Sequence, residues 1–156
     1  MKYIGLDTAS NRIHCTLLEY NGKLLLQKKW ITDKKDIKGK FYDLMEKFEQ
    51  DVNEGFFNDS KIMIESPIYI QNFLTSRSLI QVITGIEFIL NKNGIITEEV
   101  GNTTWKKSIS GLKGNCKKED IKKKSIEIFG LPELLDQDFY DSSLIALYCY
   151  KINKEK

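Results

Sequence analysis

Four acids in this 156-residue chain have the type and placement to hold metal ions: Asp7, Glu65, Asp138 and Asp141. They offer only carboxylate oxygen, which suits a hard cation such as Mg²⁺ or Mn²⁺. Several carboxylates at one place can hold two ions ~3.5–4 Å apart, a pair that clamps the attacking and leaving oxygens of a phosphodiester. Such hydrolysis needs no histidine, and the lone His14 reads as a strand residue rather than a ligand. Each acid also has a plainer reading. Asp138 would be an N-cap, Asp141 a solvated first-turn acid, Asp7 a strand-end turn former, and Glu65 a solvated acid before Ser66-Pro67. Asp136, close by, reads as a loop acid that could substitute as a ligand.

The elements that must position these acids follow from periodicity. Residues 2–7 read as a strand ending at Asp7, and residues 13–20 as a second, with Ile13, Cys15 and Leu17 on one side. Asn21-Gly22 is a hairpin signal, because both residues tolerate positive φ, and residues 23–31 continue as a third strand. Ile37, Phe41, Leu44, Met45 and Phe48 recur at helical spacing within 36–53. Residues 61–65 form a short apolar strand ending at Glu65, residues 71–91 a long helix, and residues 95–100 a fifth strand. Shorter helices are expected near 103–109 and 118–129, and a last one from about Asp138 to Ile152. The order β-β-β-α-β-α-β-α-α-α predicts an α/β fold, a mixed five-stranded sheet with helices on both faces, in a single domain over 1–156.

This order brings the acids together. The fourth strand is expected to pair in parallel with the first, which sets Asp7 and Glu65 side by side at the strand ends, where α/β sheets place their clefts. Asp138 and Asp141 are three apart and share one helix face, which continues through Ile145, Tyr148 and Ile152. Burying a bare carboxylate is costly unless it is paired or ligates a metal, and no basic residue follows on that stripe.

Net charge is only +2, but its distribution is uneven. Eight lysines crowd residues 106–124, opposed by Glu119 and Asp120, whereas Arg12 and Arg77 are the only arginines. Lysine suits phosphate, while the arginine fork reads guanine, so any nucleic-acid contact should rest on backbone. Cys15, Cys116 and Cys149 form no CxxC pair and indicate neither a disulfide framework nor a zinc site. No apolar run approaches the ~18 residues of a membrane span, and the N-terminus carries Asp7 where a signal peptide would be apolar. A soluble, cytoplasmic protein without a membrane partner is expected.

The motifs resemble those of the RuvC family of Holliday junction resolvases, within the RNase H-like superfamily. Ile4-Gly5-Leu6-Asp7-Thr8-Ala9-Ser10 is similar to that family's opening strand and metal aspartate, and Ile64-Glu65 to its second acid. Asn72 through Gly85 resembles the long helix that follows. Trp105 to Gly111 resembles a V-K-Q-x-V-x-G stretch, Lys118 to Ile121 the next K-x-x-V, and Asp138 to Ala146 the closing D-x-x-D-A-x-A-x-A helix. Departures are Thr8-Ala9 for the family's Pro-Gly, Ile68 with neighbouring Tyr69 for its aromatic, and Ser142-Ser143 for its small residues. The divergence and composition fit a phage-encoded member.

The resemblance implies an RNase H-like fold and a homodimer that grips a four-way junction and nicks two strands symmetrically, with Mg²⁺ or Mn²⁺ at Asp7, Glu65, Asp138 and Asp141. Lys106, Lys107, Lys118 and Tyr69 would contact DNA. Dimerisation is expected through the helix of residues 71–91, since Leu79, Ile80, Val82 and Ile83 cannot all face one sheet. Two alternatives stand beside this reading. One is an RNase H-like nuclease for RNA or for other branched DNA such as forks and flaps. The other is a non-catalytic actin-like nucleotide-binding module, whose opening strand can also read like Leu6–Ser10.

Overall fold

A computed structural model of the chain describes residues 1–67 and 72–155. Tyr69, expected to contact DNA, lies outside the described residues. The strands are β1 (Lys2–Ala9), β2 (Arg12–Leu18), β3 (Leu24–Ile31), β4 (Ser60–Glu65) and β5 (Thr97–Val100). The helices are α1 (Ile37–Asn53), α2 (Phe73–Lys92), α3 (Asn102–Ser108), α4 (Lys118–Phe129) and α5 (Gln137–Lys154). The sheet runs β3-β2-β1-β4-β5, with β1–β2 and β2–β3 antiparallel and β1–β4 and β4–β5 parallel. This is the mixed α/β architecture that periodicity predicts.

The second hairpin closes at the predicted turn. Glu19 N–H donates to Lys23 O at 2.8 Å, and Gly22 takes φ +83°, a conformation that side chains with a Cβ rarely adopt.

Side-chain alternation gives the sheet two chemically different faces. Ile4, Leu6, Ile13, Cys15, Leu17, Ile62 and Ile64 point to α1 and α2 and close an apolar core with Leu44, Phe48, Val82, Ile83 and Ile86. Tyr3, Leu18, Met63 and Val100 point the other way, into a core with Trp105, Ile121, Tyr140, Leu144, Ile145 and Ala146 of α3, α4 and α5.

Gly5 sets how closely α5 lies on β1. A Cβ there would come within 2.3 Å of both Ala146 N and Ser142 O, backbone against backbone. Only glycine allows this approach, and it brings the start of α5 down onto the end of β1. Ser142, whose carbonyl makes that contact, and its neighbour Ser143 are buried but satisfied. Ser142 Oγ lies 2.8 Å from Thr16 Oγ1, and Ser143 Oγ donates to Tyr140 O at 2.7 Å.

Helix α2 departs from the sequence reading in one respect. It is long and apolar enough, by length and composition, to cross a membrane. Its apolar residues are spread over two faces, so no single unbroken run reveals them. Val82, Ile83 and Ile86 are buried and Leu79 packs on the core, whereas Ile80 is 50% and Phe88 68% exposed.

Candidate metal centre

The carboxylates arrive from two directions. Asp7 follows Gly5 by two residues on β1, so it shares the face that α5 covers. Asp138 and Asp141 lie in the first two turns of α5, above that strand end. One oxygen from each of Asp7, Asp138 and Asp141 lies within 4.8 Å of the others. Glu65, at the end of β4, is outside this tight group, but its charge still raises the pKa of both Asp7 and Asp141.

Gathering like charges in a half-buried place is costly. Burial pushes the Asp7 carboxyl well above the usual range, and Asp141, Asp138 and Glu65 push it further. Burial likewise lifts Asp141 to about 6, against a hydrogen bond from Gln137 Nε2 to Oδ1 at 3.2 Å. The donor set therefore fits a divalent cation twice over. It is all oxygen, and its repulsion is of the kind that a bound cation relieves.

Several polar residues that sequence reasoning left without a role support the acids. Trp105 Nε1 donates to Glu65 Oε2 at 2.6 Å, and Asn102 Nδ2 donates to Oε1 at 3.1 Å. Both come from α3, and together they fix the Glu65 carboxylate. Lys106 Nζ donates to Asn102 Oδ1 at 2.6 Å and sits 5.4 Å from the Trp105 ring. Of the three lysines expected to meet DNA, Lys106 is tied into the acidic site, whereas Lys107 and Lys118 are exposed. The Lys118 carbonyl accepts from Gln137 Nε2 at 3.3 Å, which anchors the start of α4 beside Asp141.

On the other flank the acids meet cations from β2 and β3. Arg12 Nε donates to Asp138 Oδ2 at 2.5 Å, so Asp138 has a basic partner that the α5 stripe alone does not contain. His14 is the cross-strand partner of Asp7 and is almost wholly buried. Its Nε2 lies 3.2 Å from Asp136 Oδ2, and its ring packs edge-on against Phe139 at 4.6 Å. Burial lowers the His14 pKa, against the pull of Asp136. Asp136 occupies the N-cap position of α5 rather than a free loop, and it pairs with Lys29 at 2.7 Å. Hairpin arithmetic carries a signal for these residues. A tight turn at Ser10-Asn11 forces the register Asp7↔His14, which puts Arg12 and His14 on the acid-bearing face.

No protein-family model and no curated protein matches the sequence. Solved structures do match. T. thermophilus RuvC in complex with Holliday junction substrate superposes with a TM-score of 0.79 at 13% identity, over 99% of this chain and 96% of that one. A second Thermus thermophilus RuvC structure gives a TM-score of 0.79 at 15% identity, over 99% and 97%. The chain has the RuvC fold. The match extends over nearly the whole of both chains. The expected RNase H-like architecture is thus the observed one.

Proposed function

We propose that this protein is a structure-selective endonuclease, a single RNase H-like nuclease domain over 1–156 that resolves four-way DNA junctions by divalent-metal-dependent hydrolysis. The observation that carries this reading is the convergence of Asp7, Asp138 and Asp141 at one sheet end of a RuvC fold, with Glu65 beside them. Asp7, Glu65, Asp138 and Asp141 would hold Mg²⁺ or Mn²⁺, two ions per site, and the chemistry supplied there would be Lewis-acid activation of water and neutralisation of charge on the scissile phosphate. Asn102 and Trp105 keep Glu65 oriented. Lys106, held at the rim by Asn102, meets the phosphate next to the cut, and Lys107, Lys118 and Tyr69 extend the contact along the backbone.

Two cuts call for two sites, which a two-fold dimer supplies. Ile80 and Phe88, on the uncovered side of α2, provide an apolar surface for that dimer. Such an enzyme works where cellular DNA is, in the cytoplasm. The actin-like alternative leaves the paired acids of α5 without a role.

The test is incubation with synthetic four-way junctions, forks and RNA–DNA hybrids, with and without Mg²⁺. Paired symmetric nicks in the junction alone, dependent on metal, are expected. Asp7→Asn, Glu65→Gln, Asp138→Asn and Asp141→Asn should each lose cutting and keep junction binding. Preferred cutting of forks or hybrids would move the substrate within the RNase H-like nucleases, and activity in all four variants would end the nuclease reading.

A further inference from the structure

Arg12 opens β2 immediately after the first hairpin turn, and the register places it on the acid-bearing face. Its Nε donates to Asp138 Oδ2 at 2.5 Å, and its Nη1 donates to Asn11 Oδ1 at 3.2 Å. Its side chain is 42% exposed. Among the described residues it is the one permanently charged group that forms an ion pair with any of the three clustered carboxylates, and that partner is Asp138. Lys106, on the opposite rim, is hydrogen-bonded to Asn102 instead. The neighbouring His14 Nδ1 stands 3.5 Å from the same Asp138 oxygen and has no hydrogen-bond partner.

A guanidinium in this position compensates one of the crowded negative charges. It also stands where a cation entering the cluster would feel it. A half-exposed ion pair is worth little and is readily given up. Crowding a dication against a guanidinium costs more. At a separation of about 5 Å, even in a water-like dielectric, that repulsion corresponds to roughly tenfold in affinity.

Building on the metal-dependent reading above, we propose that Arg12 is the stand-in cation of the carboxylate cluster, which holds Asp138 in the metal-free protein and releases it when the divalent ion binds. Arg12 thereby sets the metal affinity and keeps the acids compact before loading. It is a positioning residue for the empty site, not a ligand of the filled one.

The chain's two arginines make this directly observable, because Arg77 on α2 provides an internal reference. In ¹⁵N NMR of the metal-free full-length protein, the Arg12 Nε–H signal should be downfield-shifted and slow to exchange. The Asp138→Asn variant should abolish that signature. Titration with Mg²⁺ should remove it in the wild type and leave the Arg77 signal in place. In calorimetry, Arg12→Gln should bind Mn²⁺ roughly tenfold more tightly than wild type, and Arg12→Lys should stay close to wild type. An Arg12 signal unmoved by Mg²⁺ that demonstrably binds, or a weaker Mn²⁺ affinity in Arg12→Gln, overturns the exchange and leaves the nuclease reading intact. No divalent binding in any of these proteins overturns both. The wild-type titration stands even if Arg12→Gln does not fold.

Discussion

On one face of the sheet, β1 and β2 present Ile4, Leu6, Ile13, Cys15 and Leu17 to an apolar layer of α1 and α2. On the other face the same strands present Gly5, Asp7, Arg12, His14 and Thr16 to α5. The first face gains its stability from apolar area and close packing, to which any well-fitting set of side chains could contribute. The second gives up much of that area near the strand ends. There a glycine admits a helix, and hydrogen bonds hold acids in a place that carboxylates would otherwise avoid. Two alternating residue sets on a single pair of strands thus divide the work of holding the fold and of building the site.

The sharpest way to break this comparison is to damage the apolar face alone. Phe48 is fully buried there, and Phe48→Ala should cost about 3–5 kcal/mol of stability. Urea unfolding will measure the loss, while the Mn²⁺ affinity of the protein that remains folded should be unchanged. A loss of metal binding in step with stability would mean that the two faces do not act separately.

Gly5→Ala strikes the other face. The added Cβ meets backbone atoms of α5, so the helix must shift, at a cost of about 1–3 kcal/mol. Here the metal-centre chemistry should suffer beyond the stability loss, because α5 carries Asp138 and Asp141. Junction cutting measured well below the unfolding temperature separates the two effects.

A subtler cut is Asn102→Ala. Asn102 is half-exposed, so stability should change by less than ~0.5 kcal/mol. Glu65 loses a donor and Lys106 its tether, so metal affinity or cutting should fall ~10–100-fold. Calorimetry with Mn²⁺ reads the first and junction cleavage the second.

The smallest effect is a slope. Asp7 and Asp141 have folded pKa values raised above those of the unfolded chain, Asp141 to about 6. From about pH 4 upward through these raised values the native state binds more protons than the unfolded one, so stability of the metal-free protein should fall as pH rises. Solvent at the half-exposed acids screens the change. His14, whose pKa is lowered by burial, contributes the opposite slope, so the carboxylates are read as a difference. Between pH 5 and 8 in EDTA the wild-type urea midpoint should fall relative to that of Asp141→Asn, and less so with Mg²⁺ present. A wild-type midpoint that rises relative to Asp141→Asn would contradict the crowding at this face.

Much of the apolar face was legible in the sequence, because burial leaves a periodic trace: the strands at 2–7 and 61–65 and the helix at 36–53 are the observed β1, β4 and α1 within a few residues. The acids were legible in part. Parallel pairing of β1 with β4 follows from element order, and Asp138 shares a face with Asp141 by helical spacing. What periodicity could not carry was contact between elements. The Arg12–Asp138 pair depends on how α5 crosses β2. The separation of Glu65 from the other three depends on α3 reaching across with Asn102 and Trp105. The apolar character of α2 leaves no unbroken run in the sequence, because its two faces interleave with polar residues.

The distance along the chain between Asp7 and the pair on α5 has a bearing on synthesis. Chains emerge from the ribosome N-terminus first. Asp7 and Glu65 are therefore exposed to the cell well before Asp138 and Asp141 exist, and α5 can seat against Gly5 only after nearly all of this sequence has been made. A carboxylate cluster gathered from such remote positions is a late, non-local event in folding. A nascent or truncated chain holds half of these acids and none of the geometry, so the assembled carboxylate cluster is withheld until the molecule is almost finished.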